Sequence, residues 1–248
     1  LYCIKEAKLQ IHSPHRRWNA IQTGLLGCLL VLSFLMGTIA FASAQDAPET
    51  ELIADAYPLD NVSRFVEPKG RVKCPKVELV GYRGDVIRYH KPVKVFVGFQ
   101  DRLKKFEQVV ADVAVEIYGR APRRIKHLGT YNCRRIGGYP TYIIDHGLGT
   151  GIDGAGLDFG RLPRDAKLPD GVSRRLKRPF KVRMLKHWDG RGRDAIHAKF
   201  LRTLARRLVA RQDIFRVLLG PAYPGHKNHF HFDCSPWRIV EIFEPDEP

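Results

Sequence analysis

Five consecutive residues, His229-Phe230-His231-Phe232-Asp233, leave the backbone little choice. In a β-strand alternate residues share a face, so Phe230 and Phe232 turn toward a core while His229, His231 and Asp233 look the other way. The alternation predicts a half-buried strand over Asn228–Asp233 that presents imidazoles to a cleft.

A second ionisable stretch, Asp145-His146-Gly147-Leu148-Gly149-Thr150-Gly151-Ile152-Asp153, lies well upstream. Gly147, Gly149 and Gly151 permit a tight turn after His146, and that turn can bring Asp153 back beside it. His146, Asp153 and His231 then supply two imidazoles and a carboxylate. This is the donor set of a catalytic zinc, with the fourth position left for water. Zinc held this way lowers the pKa of water toward roughly 7 and polarises a carbonyl. The neighbouring His229 is placed to take a proton and pass it to a leaving amine. Asp158 is an alternative carboxylate. Each piece is common by itself, and only their coincidence points to hydrolysis by metal-activated water. The glycines do not form the dinucleotide G-x-G-x-x-G, and no helix pattern follows them.

The N-terminal 44 residues read as a signal peptide, with the part before about Ser13 as an upstream extension. Arg16 and Arg17 precede the apolar run Gly24–Met36, and Phe41-Ala42-Ser43-Ala44 offers a small-x-small site with cleavage expected before Gln45. An uncleaved anchor is the alternative; with cleavage, no membrane span remains. Leu25-Leu26-Gly27-Cys28 has too little apolar sequence before it to act as a lipoprotein box. The expected location is the periplasm or the outside of the cell. Export puts Cys74, Cys133 and Cys234 in an oxidising compartment, where three cysteines allow one intramolecular disulfide. Cys74 with Cys133 is the preferred pair, because Cys234 adjoins the metal strand.

The chain carries a formal charge of +16, of which +13 belongs to residues 45–248. An exported basic protein suits an anionic wall polymer or a membrane surface. No recognition motif supports nucleic acid as a partner.

Residues 45–72 are rich in Asp, Glu, Pro and Ala and read as a tether or surface arm; residues 241–248 read as an acidic tail. Between them, residues 73–240 form one expected domain. Helical periodicity marks Asp101–Tyr118 and Asp194–Arg211. Short apolar runs mark strands at Arg124–Thr130, Thr141–Ile144, Gly151–Phe159, Phe180–Leu185, Ile214–Leu219 and Asn228–Asp233, and Lys167–Lys177 reads as an exposed loop. The order predicts an α+β domain, a small, mainly antiparallel sheet flanked by helices.

Longer motifs carry a resemblance. Lys126-His127-Leu128-Gly129-Thr130-Tyr131-Asn132-Cys133-Arg134, His146-x-x-Gly149-x-Gly151-x-Asp153, Leu219-Gly220-Pro221 and His229-Phe230-His231-Phe232-Asp233 resemble the bacterial extensin-like C-terminal domain family. Cys74-Pro75 and the helix around Phe200-Leu201-Arg202 are similar too, so the resemblance spans about residues 73–235. That family in turn resembles the zinc peptidases sharing one core with lysostaphin, the D-Ala-D-Ala peptidases and sonic hedgehog. The resemblance implies that fold, Zn2+ as cofactor, and peptidoglycan as partner. It implies Asp153 over Asp158 as ligand, His231 as the third ligand and His229 as the catalytic imidazole. His226 matches an additional His near the metal in the murein endopeptidase branch. Arg134 matches an Arg that binds a substrate carbonyl or carboxylate, with Arg135 as its competitor.

Three positions depart from the relatives. Ile144 replaces a Ser two residues before the first ligand, and Asn228 replaces the Glu of the dipeptidase branch, which argues against a Glu base. The Cys that the family's helix commonly carries near Ala210-Arg211 is absent. The leading expectation is an exported zinc-dependent peptidoglycan peptidase, an endopeptidase on stem or cross-link peptides, with a regulatory protein as a further partner. The rival expectation is a metal-containing wall-binding or interaction module without turnover. A secreted nuclease is the third.

Overall fold

The computed structural model describes residues 56–244. In chain order, β1 (Leu79–Tyr82), β2 (Arg88–Tyr89) and β3 (Val93–Phe96) lead into α1 (Gln100–Tyr118). β4 (Arg124–His127), a hairpin of β5 (Arg135–Ile136) and β6 (Tyr139–Ile143), and the long β7 (Gly151–Phe159) follow. The chain continues through β8 (Phe180–Arg183), α2 (Met184–His187), α3 (Ala195–Val209), β9 (Val217–Leu219), β10 (Phe230–Asp233) and β11 (Ile239–Glu241).

The main sheet runs β11-β9-β10-β7-β4-β2, and β8 also pairs with β7. β10 lies antiparallel along Gly151–Gly154 of β7, β8 along Gly156–Phe159, and β4 takes the opposite edge. Between those halves the register against β4 shifts at Lys126/His127. Ile152 and Leu157 both reach the core although they stand five positions apart, so the bulge resets the parity of the strand. Gly156, with φ 153°, sits at the reset, where a Cβ would come within 2.2 Å of the Val182 carbonyl oxygen. Only glycine fits there.

Both long helices cover one face of this sheet. α1 buries Leu103, Phe106, Val110, Val113 and Ile117, spaced three or four apart, and stops at Gly119 (φ 71°), whose N–H bonds the Val115 carbonyl. Phe232 of β10 stacks on Phe215 at 5.0 Å and meets Phe106 edge-on at 5.7 Å. Phe159 of β7 packs on Tyr118 and on Phe200 of α3. Burying each such Phe ring contributes roughly 1.5–3 kcal/mol. With Phe230 and Phe232 in the core, the next face of β10 carries His231, and the sheet's helix-free side is left for chemistry.

The fold is thus mixed α and β, its main sheet mostly antiparallel, with a few helices. Several boundaries differ from the pattern-based expectation. In the segment read as a tether or arm, Tyr57 and Leu59 are buried, and the Arg64 guanidinium pairs with the buried Asp145 at 2.9 Å. Its anchors are few and unevenly spaced, so no period betrays them. At the other end, Glu241 completes β11 and Ile242 is buried, so residues read as acidic tail begin inside the fold. Met184 and Leu185 wind into α2 instead of prolonging β8, and Ile214–Arg216 reach the core through a turn closed on the Arg211 carbonyl. Residues 79–96, left without elements by the sequence patterns, form β1, β2 and β3, too short for a period to emerge. Lys167–Lys177 holds the buried Leu176 within a short 3-10 turn.

The expected signal peptide (residues 1–44), Cys3, Cys28 and residues 45–55 lie outside the described residues. Among the described residues no helix is long and apolar enough to cross a membrane. Cys74 and Cys133 are joined by a disulfide, and Cys234 is free and buried.

Candidate metal centre

His146 sits in a 3-10 turn, Asp145–Leu148, at the entrance to β7. Gly149 leaves that turn with φ 69°, and a Cβ there would lie 2.7 Å from the Phe96 backbone nitrogen. Gly147 is equally restricted, since its Cβ would meet Cys74 Sγ at 2.7 Å. The disulfide therefore braces the turn, and the turn folds His146 back over the third residue of β7, Asp153. His231 lies opposite Asp153 in the β10–β7 register. Three separate stretches of chain thus deliver three side chains to one point.

The donor atoms converge. His146 Nε2 is 3.1 Å from Asp153 Oδ1 and 3.1 Å from His231 Nδ1, and His231 Nδ1 is 3.0 Å from Asp153 Oδ1. Tetrahedral zinc ligands at about 2.0–2.2 Å from the metal stand roughly 3.3–3.5 Å apart, so the triangle has nearly that size. Each imidazole's other nitrogen is committed to an acceptor: His146 Nδ1–H donates to the Thr130 carbonyl, and His231 Nε2–H donates to Asp233 Oδ2 at 2.7 Å. Those partners assign the tautomers and aim both lone pairs inward, with Asp233 and Thr130 acting as outer supports of the ligands. Three acceptor atoms facing one another require a cation between them. The donor set fits a divalent metal such as zinc.

Without a metal, a proton does that work. Burial disfavours charge on His231, but its hydrogen bonds to Asp153 and Asp233 prevail and push it up to about 10. Burial likewise opposes charge on Asp153, yet the hydrogen bonds from His146 and His231 hold its carboxyl far below the usual range. The imidazolium of His231 between two carboxylates is the electrostatic stand-in for a bound cation.

A family profile described as extensin-like protein C-terminus matches residues 62–241, well over half of the chain. The chain belongs to that family. No curated protein and no solved structure matches it. The match begins within the arm, at Val62, in accord with the packing of Arg64 into this extensin-like domain.

Around the triad the extensin-like domain opens a cleft of about 1000 Å³ lined by Arg134, His226 and His229 together with the donors. His229 lies just outside β10, with Nε2 3.6 Å from Asp153 Oδ1. Its Nδ1–H donates to Asn228 Oδ1 at 2.7 Å, so the Nε2 lone pair faces the centre. Asn228 thereby orients the His229 ring. Burial lowers the affinity of His229 for a proton, partly offset by Asp153, and keeps it neutral near pH 7. His226 Nδ1–H donates to the Pro224 carbonyl, and its ring centroid stands 4.7 Å from that of His229. Arg134 is exposed on the cleft, whereas Arg135 is spent on the carbonyls of Glu67, Lys69 and Gly70. Asp158 is taken by Arg183 and Arg124, away from the triad.

Residues that motif reading did not assign complete the outer layer. Asp233 Oδ1 accepts the Ser235 N–H at 2.8 Å, the Ser235 hydroxyl donates to Asp145, and Asp145 pairs with Arg64. Asp145 and Asn228 flank His146 and His229 in sequence, a signal that adjacency could have supplied; Arg64 had none. A second cluster, His187, Asp194 and His197, also gathers donors. There the Arg183 N–H donates to His187 Nδ1, so His187 Nε2 carries a proton and offers no lone pair to a metal. The contrast with His146 and His231 is one of tautomer, not of composition.

Proposed function

We propose that this protein is an exported zinc-dependent peptidase that cuts peptides of peptidoglycan, as an endopeptidase on stems or cross-links. Its sheet, with the metal ligands on one face and helices on the other, is then a variant of the core shared by lysostaphin, the D-Ala-D-Ala peptidases and sonic hedgehog. The observation that carries the reading is the convergence of three lone-pair donors with a fourth, neutral imidazole beside them, in an open cleft.

His146, Asp153 and His231 would hold the zinc, which supplies Lewis acidity toward a carbonyl and acidifies water when bound. His229 accepts the water's proton at Nε2 and returns it to the leaving amine. Proton transfer of this kind is worth about 10²–10⁴ in rate. Asn228 keeps Nδ1 protonated so that Nε2 stays the acceptor. Arg134, a planar two-pronged donor on the cleft, suits a substrate carbonyl or carboxylate. His226 lies behind His229 and completes the imidazole row.

Incubating purified sacculi with residues 45–248 and zinc should release new muropeptides. His229→Ala should keep its zinc while turnover falls by about 10²–10⁴. Unchanged muropeptides across pH and zinc concentration would overturn the peptidase reading and leave a metal-containing wall-binding module.

A further inference from the structure

The cleft is lined by more than the metal triad. Tyr139 and Tyr142 of β6 and Trp237, on the connection to β11, share its lining and stand 63%, 42% and 38% exposed, with the Arg64 guanidinium 5.8 Å from the Trp237 ring centroid. Phe65, itself 59% exposed, meets Tyr142 edge-on at 6.2 Å and extends the wall beyond the cleft. Large aromatic rings left open to water and gathered in one cleft mark a surface that is used. This wall is continuous with the metal site, so its occupant is part of whatever reaches the metal.

The chemistry of the wall narrows that occupant. Tyr and Trp each present a flat apolar face with one polar edge, a phenol hydroxyl or an indole N–H. Among the cleft's charged groups, Asp145 is paired with Arg64, Asp153 belongs to the triad and Asp233 holds His231, which leaves Arg134 and Glu241 facing solvent. A pyranose ring is built to match: an apolar face of C–H groups, with hydroxyls around its rim. A strongly charged polymer would call for more cations in the cleft, and an aliphatic peptide would leave the polar edges unanswered.

We infer that Tyr139, Tyr142 and Trp237 form a glycan subsite that stacks sugar rings of the strand carrying the peptide, so that the protein engages stems still attached to glycan. The inference rests on the peptidoglycan reading for the identity of the sugar. Stacking on Trp237 gives it a readout independent of turnover.

The test uses residues 45–248 with zinc and two probes: a soluble N-acetylglucosamine tetramer, and glycan strands freed of peptide by an amidase. Saturable binding of the peptide-free strands is expected, with a change in tryptophan emission that is absent in Trp237→Phe. Tyr139→Ala combined with Trp237→Ala should weaken binding at least tenfold while zinc content and melting temperature stay at wild-type values. The tetramer should bind at the same wall more weakly. Failure of peptide-free strands to bind, or binding indifferent to the double variant, would overturn the subsite even if free peptides are cut. Glycan binding lost in the double variant, from a protein that hydrolyses nothing, would uphold the subsite and overturn only the peptidase reading.

Discussion

His231 is held through both of its ring nitrogens, Nδ1 toward Asp153 and His146 and Nε2 on Asp233. A bound metal would replace only the inward proton, so the Asp233 contact would persist in the loaded protein and make His231 a better ligand. Asp233→Asn, which removes the charge and keeps the shape, should weaken zinc binding by about 10–100-fold in competition with a chromophoric chelator. Affinity unchanged in that variant would show that Asp233 serves the strand and not the metal. At this scale much was readable beforehand: the alternation of His231 and Phe232 places the imidazole, and the glycines after His146 allow the return to Asp153. The tautomers were not readable, because they are written by the Thr130 carbonyl and by Asp233, contacts that a one-dimensional pattern does not contain. The same holds for His187, whose tautomer is set by the Arg183 N–H at its Nδ1.

Among elements, β7 does most to place the centre. Its first half pairs with β10 and carries Asp153, its second half pairs with β8, and the glycine-mediated bulge keeps both halves in the core. The strand was legible over its whole length from its apolar content. The arm ahead of β1 was not, since it is fixed by long-range contacts: the Asp60–Arg216 ion pair and the buried pair Arg64–Asp145, which joins residues 81 apart with both side chains 3% exposed. Burial and the nearby Asp233 push the Asp145 carboxyl up, against the pull of Arg64. Removing Arg64 strands a buried acid next to ligand His146. Arg64→Leu should therefore cost about 3–5 kcal/mol in denaturant unfolding, and Asp145→Asn added to it should recover part of the loss. A cost below about 1 kcal/mol would mean that the arm is only laid on the surface.

Over the whole molecule, helices cover one face of the sheet and the ionisable centre occupies the other, so acid acts on two separate histidine groups. His197 is buried against Tyr118, Phe180 and His187. Burial, and then His187, bring its pKa down to about 4. An unfolded His takes up its proton near roughly 6.5, so the native state refuses a proton that the unfolded chain accepts between those values. The contribution of His197 is complete above the unfolded value and is lost as pH falls toward 4. In metal-stripped protein, urea midpoints should drop between pH 7 and pH 5, and His197→Gln should flatten the drop. Equal slopes in the two proteins would remove His197 from the account. The composition announced a basic chain with one folded domain, but not this division of faces, which depends on how helices and strands pack.

Whether His146, Asp153 and His231 hold a metal is read by elemental mass spectrometry of residues 45–248 made through an export route. About one zinc per chain is expected, lost in His231→Ala with the fold retained. Well-folded wild-type protein that holds no zinc after zinc is offered would contradict this expectation.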